Sequence, residues 1–176
     1  VRYLTPFLIG MAASDLAALD REMAWRVYAN AAAKAAIDMA LLDLLGHAQH
    51  KPMHELLAQR RRDRVPVLWL IGTGGEEGDV QEALAKRAEG VTAFKIKVGA
   101  RDPLEDARRT IAVCEALGAG VLVSADANQG YSEEAALVFV RAVERTTLAF
   151  IEQPVAADDL PGMARVAAAS RIALGA

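Results

Sequence analysis

The chain has little cysteine, histidine or aromatic content: one Cys, three His and 5% Phe, Trp and Tyr among 176 residues. The lone Cys114 lies in an apolar helical pattern, which excludes an internal disulfide framework and reads as a small core residue rather than a nucleophile. No stretch approaches the roughly 18 consecutive apolar residues of a membrane span. Beyond the brief Arg60-Arg61-Arg62 run there is no basic block, and the formal net charge is −3, so nucleic acid is not an expected partner. Arg60 to Arg64 reads as a solvated loop between domains rather than a phosphate-binding patch. There is no secretory signal at the start of a chain that opens on Val1 rather than Met, which leaves a reducing cytoplasm as the default compartment.

What is present is alanine and aliphatic side chain. Hydrophobic residues make up 53% of the sequence, enough for a substantial core, and few of them are aromatic. Helices packed through small side chains are therefore expected in place of a β-sandwich. Val1 to about Gly46 reads as an apolar lead-in followed by two helices, with Ser14 and Asp15 as candidate N-caps of the first. In the second, Ala31 to Gly46, Ile37, Leu41, Leu44 and Leu45 recur at helical spacing and Gly46 supplies the stop. Asp38 and Asp43 of that helix do not share a face, so they read as solvent or capping residues rather than a metal pair.

From Val65 the pattern changes to short apolar segments alternating with helical ones. Strands are expected at Val65–Gly72, Ala93–Gly99, Gly120–Ala127 and Leu148–Glu152, with a fifth beginning at Ile172. Helices are expected at Glu76–Glu89, Pro103–Leu117, Glu133–Arg145 and Leu160–Ala169. In the second of these, Leu104, Ala107, Ile111, Cys114 and Leu117 lie along one face. Strands beginning every 23 to 28 residues or roughly so are the spacing of repeated βα units and hence of a parallel sheet covered on both faces. That leaves a doubly wound sheet or part of a (β/α)8 barrel. The domain division implied is 1–64 and 65–176.

The polar residues favour the barrel, because they collect at strand C-terminal ends, where barrel enzymes place their chemistry. Lys95 and Lys97 end the second strand, Asp126 and Asn128 the third, Glu152 and Gln153 the fourth. By strand parity Lys95 and Lys97 project together, opposite Phe94, Ile96 and Val98. Two ammonium groups so placed lower each other's pKa and bring one toward general-base duty, although a solvated edge-strand face would show the same alternation. Asp126 and Glu152 on neighbouring strands make an oxygen site for a hard divalent cation that needs further ligands. The plainer readings are a turn at Asp126 with Asn128 and Gly130, and an ion pair from Glu152 to a lysine. Gly72-Thr-Gly-Gly75 does not fit a dinucleotide-binding loop and reads as a flexible turn after the first strand.

These motifs carry a resemblance to the enolase superfamily, and within it to the muconate lactonizing enzyme subgroup of the mandelate racemase-like enzymes. Lys95-Ile-Lys97 is similar to that subgroup's K-x-K on the second barrel strand, Asp126-Ala-Asn128 to its D-x-N on the third, and Glu152-Gln153-Pro154 to its E-Q-P on the fourth. Ala35 to Leu44 resembles the helix that links the family's capping domain to its barrel. The resemblance runs through essentially the whole chain. It implies a partial (β/α)8 barrel of about five strands, residues 65–176, preceded by helices of an α+β capping domain, residues 1–64.

The resemblance also implies a chemistry, since enolase-superfamily sites use a Lys or His base with Mg²⁺. Asp126 and Glu152 would be two of three ligands to Mg²⁺, or to Mn²⁺ in its place, and Asn128 and Gln153 would support the site. Lys97 would exchange a proton α to a carboxylate and Lys95 would tune it. The third ligand and a further acid/base lysine would lie past Ala176, so these residues alone are expected to bind Mg²⁺ weakly and turn nothing over. The implied partner is a small carboxylate substrate, and a homo-oligomer is expected of the complete protein. Two alternatives stand beside this reading: a Schiff-base aldolase-type barrel and a non-catalytic descendant.

Overall fold

The structure, a computed structural model, describes residues 1–72 and 74–176. It divides into two compact units, Val1–Arg64 and Val65–Ala176. The first is helical: α1 (Thr5–Leu8), α2 (Leu16–Arg26), α3 (Ala31–Gln49) and α4 (Met53–Leu57). Asp15 caps α2 by accepting the Ala18 amide at 3.0 Å, as its position in the sequence suggests. The short helices α1 and α4 are not anticipated by the sequence pattern.

The end of α3 corrects a sequence expectation. The helix does not stop at Gly46 but runs to Gln49 and ends at His50, which takes a left-handed conformation at φ 53°. Gly46 is buried beneath the returning chain: the Lys51 amide donates to its carbonyl at 2.9 Å, and a β-carbon on Gly46 would stand 2.8 Å from the Lys51 carbonyl oxygen. The glycine is thus a close-approach residue inside the last turn, not the residue that ends the helix. Leu44, expected on the packed stripe, is exposed.

The second unit is a five-stranded parallel sheet, β1 (Leu68–Ile71), β2 (Ala93–Lys97), β3 (Leu122–Asp126), β4 (Leu148–Glu152) and β5 (Ala173–Gly175), in spatial order β1-β2-β3-β4-β5. Between the strands run α5 (Gly75–Ala88), α6 (Pro103–Leu117), α7 (Glu133–Ala142) and α8 (Leu160–Ala169). A doubly wound sheet reverses its strand order at a switch point, whereas here each strand pairs with the next in sequence; the sheet is a segment of a barrel.

One face of the sheet is packed. Phe94 and Ile96 of β2, Val123 and Ala125 of β3 and Ile151 of β4 are buried with Val113 and Leu117 of α6, Phe139 and Val140 of α7 and Val166 of α8. Burying one such large side chain stabilises the fold by about 1.5–3 kcal/mol. The helices start where capping side chains stand: Asp102 accepts the Leu104 and Glu105 amides, Ser132 that of Ala135, and Asp159 that of Gly162. The other face is open in this chain at Leu68, Leu70 and Leu122, so the expectation of strands covered on both sides holds for one side only.

Helix α6 also departs from expectation. Leu104 is exposed, and the buried face includes Asp106, Arg109 and Thr110 beside Ala107, Val113, Cys114 and Leu117. Among the described residues no helix is long and apolar enough to cross a membrane.

Candidate active site

The pleat of β2 sorts its residues as parity predicts: Phe94 and Ile96 are buried under the helices while Lys95 and Lys97 rise from the opposite face. Pairing then aligns the strand ends. Lys97 stands opposite Asp126 on β3, and Asp126 opposite Glu152 on β4. The second alignment depends on an irregularity, because Val123 pairs with Leu148 but Ser124 with Phe150, leaving Ala149 as the extra residue of a β-bulge.

Five side chains meet at this mouth. Lys97 Nζ donates to Asp126 Oδ2 at 2.6 Å and to Asn128 Oδ1 at 2.7 Å. Lys95 Nζ donates to Glu152 Oε2 at 2.5 Å and lies 3.5 Å from Asp126 Oδ2. Asp126 closes a turn as well, its Oδ1 accepting the Asn128 amide at 3.0 Å. The turn and ion-pair readings of Asp126 and Glu152 are therefore both realised, within one cluster. Asn128 and Gln129 after β3 and Gln153 after β4 have positive φ, 47°, 68° and 39°, a conformation that non-glycine residues adopt rarely and that collects at functional sites.

The electrostatics correct one expectation. Lys95 does not fall below the usual lysine range; its hydrogen bond to Glu152, opposed by partial burial and helped by the charge of Asp126, pushes it up. Each lysine is paired with a carboxylate, Lys95 with Glu152 and Lys97 with Asp126. Asp126 is 2% exposed. Burial alone would raise its pKa, but the Lys97 hydrogen bond, the Asn128 amide and the two ammonium charges together hold it below the usual carboxylate range.

The donor set suits a hard cation. Asp126 Oδ2 and Glu152 Oε2 both lie within 3.5 Å of the Lys95 ammonium, so the two carboxylates converge on one positively charged position. Asp126, Glu152 and the Asn128 carbonyl oxygen are oxygen donors of the kind Mg²⁺ takes. They are not a full set: among the described residues no group of three or more His, Cys, Asp and Glu could hold a metal ion. The Gln153 side chain does not join the cluster. Its amide donates to the Val155 carbonyl at 3.0 Å, and its contribution is through the backbone, which accepts the Gln129 amide and donates to the Gly175 carbonyl, both at 2.8 Å. Of the Gly72 to Gly75 turn, Thr73 lies outside the described residues.

Sequence reasoning missed the charged layer beneath this mouth. Asp79 and Asp106 are fully buried and Arg109 nearly so, and Tyr131 donates to Asp106 Oδ2 at 2.8 Å. The available signal was the i, i+3 spacing of Asp106 and Arg109 on the inward face of α6.

Residues 79–176 match the family described as enolase C-terminal domain-like, and residues 1–58 match the mandelate racemase / muconate lactonizing enzyme N-terminal domain. A chloromuconate cycloisomerase of Cupriavidus pinatubonensis is 37% identical over 165 residues, which cover 93% of this chain and 44% of the relative. An N-succinyl-L-Arg/Lys racemase of Bacillus cereus is 34% identical over 164 residues, 93% of this chain and 44% of the relative. Among solved structures, muconate lactonizing enzyme from Pseudomonas fluorescens complexed with muconolactone superposes with a TM-score of 0.86 at 34% identity, covering 96% of this chain and 46% of that one. The chain spans about half the length of the curated relatives it matches.

Proposed function

The chain belongs to the mandelate racemase/muconate lactonizing enzyme family of the enolase superfamily, and from that membership we propose that it forms the lysine-bearing part of an enzyme that moves a proton α to a carboxylate. The observation that carries the reading is the juxtaposition of Lys97 Nζ with Asp126 Oδ2 at 2.6 Å, beside a second carboxylate, Glu152, in register on the next strand.

Lys97 is the proton carrier. Its side chain is the more open of the two lysines, 39% exposed against 14% for Lys95, so it can reach a bound substrate. Asn128 Oδ1 and Asp126 Oδ2 hold its ammonium in one orientation. Lys95 is held as a permanent cation by Glu152 and supplies positive charge where the carboxylate of a substrate would become doubly negative. Asp126 and Glu152 would hold Mg²⁺ with Asn128 in support, and the bound ion would supply further positive charge to stabilise the enediolate. A Schiff base on Lys95 is disfavoured on the same grounds, since a nucleophilic amine needs a lowered pKa.

Cycloisomerisation and racemisation are the reactions named by the two relatives above, and both are within reach of a lysine and a cation at an α-carbon. The test uses the full-length protein in deuterated water with Mg²⁺, offered muconates and N-succinyl amino acids, with solvent deuterium at the α-position read by NMR or mass spectrometry. Incorporation by the wild type and its loss by a factor of about 10² or more in Lys97→Ala is the expected result. Undiminished incorporation in that variant would remove Lys97 from the role.

A further inference from the structure

The buried charged layer under the mouth has no part in the chemistry above, and a charge placed there costs several kcal/mol or so unless it is paired. Arg109 does the pairing. Its Nε and Nη2 both donate to Asp79 Oδ2, and its Nη1 donates to Asp106 Oδ1 at 2.8 Å. Two aspartates share one guanidinium, and the remaining carboxylate oxygens go to the turns at the strand ends. Asp79 Oδ1 accepts the Gly74 amide at 3.0 Å, in the connection from β1 to α5. Asp106 Oδ2 accepts the Gly99 amide and the Tyr131 hydroxyl, both at 2.8 Å, in the connections from β2 to α6 and from β3 to α7. Among the described residues no buried side-chain nitrogen or oxygen lacks a partner.

A hydrophobic trio of the same volume is often as stable as a buried ion triad, so stability alone is a poor account of these three residues. An apolar trio could not hold three turns by their polar groups. Two of those turns carry the site. Gly99 comes two residues after Lys97, and Tyr131 three after Asn128. The turns also touch directly, since a β-carbon on Gly99 would stand 2.5 Å from the Ala127 carbonyl oxygen. With that little free space, whatever anchors one turn locates the other.

We propose that Asp106, with Arg109 and Tyr131, is a positioning network that locks the turn after β2 to the turn after β3 and so sets where the Lys97 ammonium stands relative to Asp126 and Asn128. Its catalytic readout, though not its structural one, rests on the function proposed above. Burial and the neighbouring Asp106 charge push the Tyr131 phenol up, so it stays protonated and remains a donor.

The test compares two variants of the full-length protein. Tyr131→Phe removes one oxygen and keeps the ring against Phe139, whose centroid lies 5.5 Å away. Phe139→Leu loosens the same core and leaves the network intact. Amide hydrogen exchange of peptides covering residues 98–102 and 127–131 is read by mass spectrometry, with thermal melting, kcat and KM. Tyr131→Phe is expected to speed exchange in both turns at least tenfold, with α6 and α7 still protected, and to lower kcat at least tenfold with KM within twofold. Phe139→Leu is expected to lower the melting temperature at least as far and to do neither. If Tyr131→Phe does not fold, Arg109→Lys, whose compact ammonium lacks the planar fork that makes three bonds to Asp79 and Asp106, carries the same expectations. Unchanged turn exchange, unchanged kcat beside faster exchange, or the same effects from Phe139→Leu would each overturn the proposal. If the wild type moves no α-proton, the functional reading fails and the exchange data alone decide the network.

Discussion

Gly130 lies against Gly99 so closely that a β-carbon on Gly130 would stand 2.3 Å from the Gly99 carbonyl oxygen. Gly99 itself has φ 91°. Gly99→Ala therefore meets both backbone strain, about 1–3 kcal/mol, and a clash with the Ala127 carbonyl oxygen, which already accepts the Gly130 amide at 2.8 Å. Gly118 at the end of α6 is the comparison: at φ 62° and ψ −156° it too sits in a backbone region almost confined to glycine, so Gly118→Ala carries the strain of about 1–3 kcal/mol, but nothing lies within 4 Å of its would-be β-carbon and the clash is missing. Urea unfolding of the two variants is expected to separate them clearly. Equal midpoints would mean that the two turns give way easily.

Asp126→Asn removes the carboxylate that both lysines share. In chelator-treated protein the loss should be on the order of 2 kcal/mol at neutral pH, below the figure for a fully buried pair because Lys97 is partly solvated. The pH dependence follows from the lowered pKa. Its stabilisation is present above the unfolded carboxylate pKa of about 3.9 and disappears as pH falls through the lower folded value. Stability measured from pH 5 or so downward should fall less steeply in Asp126→Asn than in the wild type, by that one group. Parallel curves would show that Asp126 is not held ionised.

Lys95 behaves with the opposite sign. Its raised pKa makes a contribution that is complete below about 10.4, its unfolded value, and is lost as pH rises through the folded one. Glu152→Gln removes the first cause of that shift. The Lys95 amine should then react faster with acetic anhydride at a fixed pH near 9, read by peptide mass spectrometry, while an exposed lysine such as Lys51 is unchanged. An unaltered rate at Lys95 would place its stabilisation elsewhere.

Cys114 should be inert while the fold is intact. It is buried, and that burial pushes the thiol pKa up, so little thiolate forms and a bulky disulfide reagent cannot reach it. Titration with such a reagent at pH 8 should give no fast phase, and full reaction only in denaturant. Rapid native-state labelling would show that the ends of α6 and α7 open locally.

The parts legible from sequence were those with local punctuation. Pro103 after the capping Asp102 marks the start of α6, and the alternation at Phe94 to Val98 marks the two faces of β2. Gly46 shows the limit: a glycine near a helix end serves equally as a left-handed stop or as a place for another backbone to pass, and only the position of Lys51 decides. The helices α1 and α4 are too short to show a period. Of the site, the gathering of Lys95, Lys97, Asp126 and Glu152 at strand ends was readable, but which ammonium pairs with which carboxylate was not. Asp79, Asp106 and Arg109 were hidden because isolated charges in a helical pattern read as solvent-facing, and their burial depends on partners 30 residues apart.

The bulge at Ala149 acts as a frame setter. With unbroken pairing from Val123 and Leu148 onward, Asp126 would stand opposite Ile151, and Glu152 would pass to the face beneath the helices. Whether Ala149 bulges out or joins the ladder thus decides whether the fourth strand delivers a carboxylate or an isoleucine to the mouth. In a scan of single-residue deletions along β4, loss of Ala149 would leave the downstream phase intact, whereas loss of Ile151 would turn Glu152 out of the site without changing the charge of any other residue.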